Sequence, residues 1–363
     1  MKVKGFLNKK RVVAVIILFV VIAVMVFSNP EVQKFILRPD TVKLNLQTGI
    51  NYRLQVAGKE MLLVSSDGIR AVDDDGRESW SVVAPTTAPA VITKNDYIML
   101  ADINGTTVNV YERDKIITQI KTEREILSAK LNKNGYVAVA TDELGYKGVV
   151  RMFDKNGKDI FKWYSGTGYI GDIDIASKNK LVVAQIMTDK EHVYSRIMMI
   201  DTRSPEKANC IAELDGIVMK LKFKDNGGLI AVSESGLYGF KRSGKRDFVV
   251  DFDGRVPVDC NIDTPGNMVF AFDSGLNNTV LESYSAKGKI RGKYEADSRI
   301  TDFDVNGECI LAVTQKGVIR VTPSGKVKGK TEVSRDVKEI KLFADRDKFL
   351  SLGGSSAEIL KVN

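Results

Sequence analysis

The chain has one histidine, three cysteines, eight prolines and two tryptophans in 363 residues. With His192 alone, no His-rich zinc site can be assembled, and general-base chemistry near neutral pH would rest on that one ring. Asp189 and Ser195 flank it in sequence, but short-range coincidence of three residue types is weak ground for a hydrolytic trio. Cys210, Cys260 and Cys309 are too few, and odd in number, for a disulfide framework. Cys260 and Cys309 fall in apolar strand contexts, where a free thiol behaves as a small buried hydrophobe. A single bridge among three pairings stays open.

Phosphate and metal motifs are equally thin. Gly166-Thr167-Gly168-Tyr169-Ile170-Gly171 has the spacing of a dinucleotide loop, but the strand-like DIDIAS follows where a helix N-terminus must receive the phosphate. Asp73-Asp74-Asp75-Gly76 opens like a calcium loop, yet Ala84 stands where the distal bidentate glutamate belongs. The DKNGKD stretch at Asp154 fails in the same way, and both read as hairpins whose Asp side chains cap their own turns. The carboxylate pairs Asp172/Asp174 and Asp302/Asp304 alternate with apolar residues on strands, which favours a structural role over glycosidase-like chemistry. No cofactor and no metal are expected.

An excess of one charge sign is also missing once the N-terminus is set aside. The formal net charge is +8, but Lys2, Lys4, Lys9, Lys10 and Arg11 supply five of those charges, and no acidic residue precedes Glu31. Residues 12–363 hold 49 basic and 46 acidic groups. Such a balance, with the charges scattered along the sequence, shows no concentrated basic face, so no nucleic-acid partner is expected.

What is present begins with Val12–Phe27, sixteen uninterrupted apolar residues behind that basic tail. A spanning helix needs about 20 residues, so the run is at the short end for an anchor and slightly long for the apolar region of a cleaved signal peptide, the alternative reading. Ser28-Asn29-Pro30 offers no small-residue cleavage pattern. The expectation is an uncleaved signal anchor over residues 12–28, with residues 1–11 cytoplasmic and residues 29–40 as a stalk. The remainder, 41–363, would then be extracytoplasmic on a single-pass membrane protein.

That remainder repeats. LIAVSESG from Leu229 returns as MLLVSSDG from Met61, YVAVATDE from Tyr136, MVFAFDSG from Met268 and ILAVTQKG from Ile310, with weaker copies from Tyr97, Leu181 and Phe349. The starts are 36, 39, 45, 48, 39, 42 and 39 residues apart. A period of roughly 40 with four short strands per unit is the signature of a β-propeller. Eight units fit, the last holding only three strands, and a spare strand at Asp40–Gln47 is free to complete it from the opposite terminus. The predicted fold is therefore all-β: an eight-bladed propeller of four-stranded antiparallel blades, closed by residues 41–47. A seven-bladed ring is the alternative and leaves one unit unused.

Ala71–Ser81, AVDDDGRESWS, resembles the repeats of quinoprotein-type, PQQ-repeat or WD40-like propellers and of bacterial envelope lipoproteins that assemble outer-membrane proteins. Ala71, Asp73, Gly76 and Trp80 carry the pattern, and Met152–Trp163 is a looser copy. The resemblance implies that the Trp docks one blade on the next. The overall plan also resembles uncharacterised membrane-anchored propellers of clostridia. Neither resemblance implies a catalytic residue.

Aligning the first strands of the units puts Gln55, Val91, Lys130, Asp174, Lys222, Asn261, Asp304 and Lys341 at one position. These charges either neutralise one another around the axis, as Lys130–Asp174, Asp174–Lys222 and Asp304–Lys341, or point into separate solvated pockets. Connections between second and third strands are long at Asp142–Gly148, Thr188–Ser195 and Ser274–Asn278, and they share an end of the ring with inter-blade links such as Ser165–Ile170. Tyr146, Tyr169, His192 and Tyr194 gather there, and variable loops on a rigid scaffold are where recognition concentrates. These four residues are the candidate interaction face. The expected function is a non-catalytic, membrane-anchored interaction or scaffold module holding an envelope protein or wall polymer. The alternative is a cell-surface propeller enzyme, quinoprotein-like or polysaccharide-acting.

Overall fold

The second strand of each repeat explains why the repeat was visible at all. In the computed structural model, Val137–Thr141, Leu229–Ser233 and Cys309–Thr314 are buried at every position. Each is flanked by strands within its own sheet and covered on both faces by neighbouring sheets, so it must be apolar throughout. Outer strands have one covered face and alternate instead, as Glu78–Val83 and Asp159–Tyr164 do. The structure describes residues 41–362, apart from 178–179, 264–265, 276 and 334–335.

Eight sheets of four strands are formed. Seven take consecutive strands, and the eighth joins Glu339–Leu342, Lys348–Leu352 and Ser356–Lys361 to Thr41–Asn45 as its outer member. This is the eight-bladed antiparallel propeller, and the seven-bladed alternative is excluded. Lys43–Asn363 is one compact unit, distinct from Met1–Val42. The tail, apolar run and stalk expected at 1–11, 12–28 and 29–40 lie outside the described residues. Among the described residues no helix is long and apolar enough to cross a membrane.

The core is a set of seams between blades. Alternate residues of Lys180–Asp189 point in opposite directions: Leu181 and Val183 pack toward blade three, Val182 and Ala184 toward blade five. Trp80 lies in the seam between blades one and two with Leu62, Val64, Ile98 and Leu100, and its Nε1 donates to Glu60 Oε2 at 2.8 Å. Trp163 packs on the seam between blades three and four. Both tryptophans thus occupy the docking position that the repeat pattern implied.

Hairpins follow the turn chemistry expected. Asp73 Oδ1 accepts from the N–H groups of Asp75 and Arg77, and Asp154 Oδ1 from those of Asn156 and Lys158, at 2.8–3.0 Å. Where the last blade meets the first, Lys348 Nζ reaches Asp74 Oδ2 at 2.8 Å and Asp75 Oδ1 at 3.2 Å. The DDDG turn is therefore a ring-closing contact. On the completing strand, Leu44 is buried and Lys43 pairs with Glu358 at 3.6 Å.

One connection departs from expectation. The loop predicted at Thr188–Ser195 is instead the paired end of two ten-residue strands, Lys180–Asp189 and His192–Asp201, joined by Lys190-Glu191. Asp189 stands opposite His192, and Lys190 takes the positive φ, 53°, that a two-residue turn requires. The β-branched and aromatic residues Val193 and Tyr194 extend the ladder through the segment expected to be a loop.

Candidate interaction face

The strand nearest the axis in each blade is an edge strand, with backbone groups that no fifth strand pairs. Asp172 Oδ2 accepts from Leu221 N–H at 2.8 Å, and Asp174 Oδ2 from Phe223 N–H at 2.6 Å. Asp302 Oδ2 and Asp304 Oδ2 do the same for Ile340 and Leu342, at 2.6 and 2.9 Å. Carboxylates two residues apart match N–H groups two residues apart on the neighbouring blade, since a strand exposes one edge N–H every second residue. Lysines at the same spacing serve the carbonyls. Lys220 Nζ donates to Cys260 O at 3.2 Å, and Lys222 Nζ to Ile262 O and, at 3.3 Å, to Asp263 O. Glu339 Oε1 accepts from Leu54 N–H at 3.1 Å across the closing seam.

The axial charges therefore do more than neutralise one another. Lys341 pairs with Asp304 at 2.7 Å, as expected. Lys130 pairs at 2.8 Å with Asp172 rather than Asp174, and Lys222 turns to carbonyls rather than to Asp174. Gln55 Nε2 donates to Thr93 Oγ1 at 2.9 Å. Burial pushes Asp174 up to about 6 and Asp302 up to about 7, while it pulls Lys222 down to about 8. Burial acts downward on Lys341 too, but the carboxylates of Asp304, Asp302 and Glu339 together leave the ammonium raised. The paired aspartates each hold a backbone N–H of the next blade, which is the structural role their alternation indicated.

The remaining chemical candidates do not assemble. His192 Nε2 lies 2.7 Å from Asp215 Oδ1, whereas Ser195 Oγ donates to Gly216 O and accepts from Val218 N–H, both at 2.9 Å. Gly166–Gly168 leads directly into the strand Tyr169–Ser177, which takes up the rest of the glycine motif, with Ser165 Oγ donating to Gly168 O. Cys210, Cys260 and Cys309 are all free, and Cys210 is exposed. Among the described residues no group of three or more His, Cys, Asp or Glu is placed to hold a metal ion.

The tyrosines form two separate pairs of contacts. The loop after Val137–Thr141 folds onto the link into blade four, where Lys147 N–H donates to Ser165 O at 2.8 Å. This seats Tyr146 against Tyr164, ring centroids 4.5 Å apart, and sets Lys147 Nζ 3.1 Å from Tyr169 Oη and 4.6 Å from its ring centroid. Tyr169 is 57% exposed and Leu144, at the loop tip, 82%. On the long hairpin of blade four, His192 and Tyr194 stack at 5.7 Å, with the Arg196 guanidinium 5.8 Å from the Tyr194 ring. Tyr169 stands opposite Ile186, and Tyr194 opposite Met187. Those positions are one residue apart in register, so the two side chains leave opposite faces of the sheet. Among the described residues no ring contact joins the two pairs. Sequence reasoning missed Tyr164 and Lys147; an aromatic at the exposed end of an outer strand, beside a long loop, was the available signal.

Comparison with known proteins gives the fold and a family. The C-terminal WD40 domain of Sif2 is similar over 89% of this chain and 99% of its own, at 11% identity and a TM-score of 0.63. The computationally designed Ika8 protein matches over 88% of this chain and 98% of its own, at 12% identity and a TM-score of 0.63. Sqt1 of Saccharomyces cerevisiae covers the same shares at 12% identity and a TM-score of 0.61. Among curated proteins none matches. The description "Family of unknown function (DUF5711)" matches residues 40–362, and the chain belongs to that family.

Proposed function

We propose that this member of a family of unknown function is a non-catalytic propeller, anchored by Val12–Phe27 on the extracytoplasmic side of a membrane, that holds an envelope protein or wall polymer on the loop end of blades three and four. The observation that carries the reading is the Tyr146–Tyr164–Lys147–Tyr169 cluster. Exposed aromatic rings there are pinned by a hydrogen-bonded loop and a cation, so little conformational freedom is lost when a partner packs on them. WD40-like folds often mediate protein interactions, which supports the same class. The PQQ-repeat resemblance is residue-specific in only two blades and brings no cofactor ligand with it.

The test is capture of the partner from detergent-solubilised membranes on the full chain. Changing Tyr146 and Tyr169 together to Ala should weaken capture at least tenfold, because anchoring aromatics typically contribute ~2 kcal/mol or more each, whereas Tyr194→Ala, on the opposite face, should have a smaller effect. Lys245→Glu with Lys287→Glu, on hairpins at the other end of the ring, should leave it unchanged. Loss of capture from the hairpin changes, with the tyrosine variant unaffected, would place the partner elsewhere.

A further inference from the structure

The even charge balance of the sequence conceals a concentration that only the fold reveals. The turn and outer strand of blades five, six and seven, Lys241–Asp251, Ser285–Glu295 and Thr322–Thr331, carry eleven basic and three acidic residues. Residues 41–363 hold 47 basic and 44 acidic residues, so 36 basic and 41 acidic remain elsewhere. The three stretches are thus net +8 and the rest of the propeller net −5. The equivalent stretch of blade one, Asp73–Val83, has one basic and four acidic residues.

These stretches are contiguous in space. A Cβ on Gly288 would meet the Phe248 ring at 2.2 Å, and one on Gly325 would meet Lys293 O at 1.8 Å. The turn of blade six therefore lies on the outer strand of blade five, and the turn of blade seven on that of blade six. Lys293 and Arg291 are taken by Glu282 and Glu308, each at 2.7 Å. Lys245, Lys287, Lys289, Lys326, Lys328 and Lys330 are all exposed; no ion pair within 4 Å joins any of them to a carboxylate among the described residues, although Lys330 acts electrostatically on Asp297. Ile290 and Val327, the first residues of two of these outer strands, are 52% and 46% exposed between the lysines.

We infer that this basic rim docks on the anionic headgroup surface of the membrane that carries the chain. Two observations favour a lipid surface over a soluble polyanion. Apolar side chains interleave with the lysines, as interfacial contacts require. In addition, Thr41–Asn45 takes the outer-strand place of blade eight, so the chain joins the ring at the turn end, where the rim lies. Only residues 28–40 separate Val12–Phe27 from that strand, a reach of at most about 45 Å when fully extended. Docked this way, the propeller turns its loop end, with Tyr146 and Tyr169, away from the lipid. The inference rests on the anchoring proposed above.

The full chain is reconstituted into zwitterionic vesicles and into vesicles containing about one third phosphatidylglycerol, and each lysine is followed by amine acylation and mass spectrometry. Acylation of Lys287, Lys289, Lys326 and Lys328 should be several-fold slower on anionic vesicles. High salt should reverse the difference, since screening is strong within a few ångströms near 1 M. Lys190, at the loop end, should be unchanged, and Lys245→Glu combined with Lys330→Glu should shrink the difference. Equal acylation on both vesicles overturns the proposal. So does protection by added polyphosphate with none from anionic vesicles, which would assign the rim to a soluble polyanion. Failure to float with either vesicle would remove the anchor, and this docking with it; flotation with equal acylation would remove the docking alone.

Discussion

At the residue scale, two-residue spacing on the inner strands does the joining. Asp172/Asp174 and Asp302/Asp304 hold N–H groups of the next blade, and Lys220/Lys222 hold its carbonyls. The pairs were legible as structural from their alternation with Ile173, Phe303 and Val305. Their partners were not, because a backbone N–H leaves no trace in sequence. This arrangement has a pH signature. Asp302 near 7 and Asp174 near 6 both titrate above the unfolded carboxylate, ~3.9, with burial the main cause. The folded state keeps protons that the unfolded chain has released between about pH 4 and 7. Stability from these groups is therefore highest at the acidic side of that window and falls as pH rises through it. Asp302→Asn retains an oxygen for Ile340 N–H and removes the titration. Relative to the unmodified protein, its melting temperature should compare better at pH 8 than at pH 5. An equal difference at both pH values would contradict the burial argument.

At the scale of elements, the second strands were the most legible part of the chain, because burial on both faces forces an unbroken apolar run. The outer strands alternate weakly, yet their turns carried Gly and Asp in place, and all eight blades could be bounded. The long hairpin of blade four was misread as a loop because Thr188–Ser195 is rich in charge; pairing of Met187 with Tyr194 and of Thr188 with Val193 extends the ladder through it. That ladder separates Tyr194 from Tyr169, since neighbouring register positions leave opposite faces. The strand Thr41–Asn45 gives the sharpest test at this scale. Without it blade eight keeps three strands, and Ser356–Lys361 becomes an unpaired outer edge. Deleting residues 40–47 from a chain that begins at residue 40 should lower its melting temperature well beyond the degree or two of an ordinary terminal trim. A change that small would show the strand to be linker.

At the scale of the whole molecule, the two ends of the ring differ in chemistry. One end carries long loops with exposed Tyr146 and Tyr169, and the other carries short turns with the lysines of blades five to seven. Sequence showed the uneven loops, because insertions break the repeat spacing. It concealed the basic rim, because lysines from three repeats roughly 40 residues apart meet only once the blades are ranked side by side. The central claim is that partner recognition belongs to the loop end. Its most direct measurement places a photo-crosslinking residue, one at a time, at positions 146, 169, 245 and 287 of the full chain in native membranes. The account predicts a discrete protein or polymer adduct from 146 and 169, with none from 245 and 287. A discrete adduct from 245 or 287 alone would contradict it.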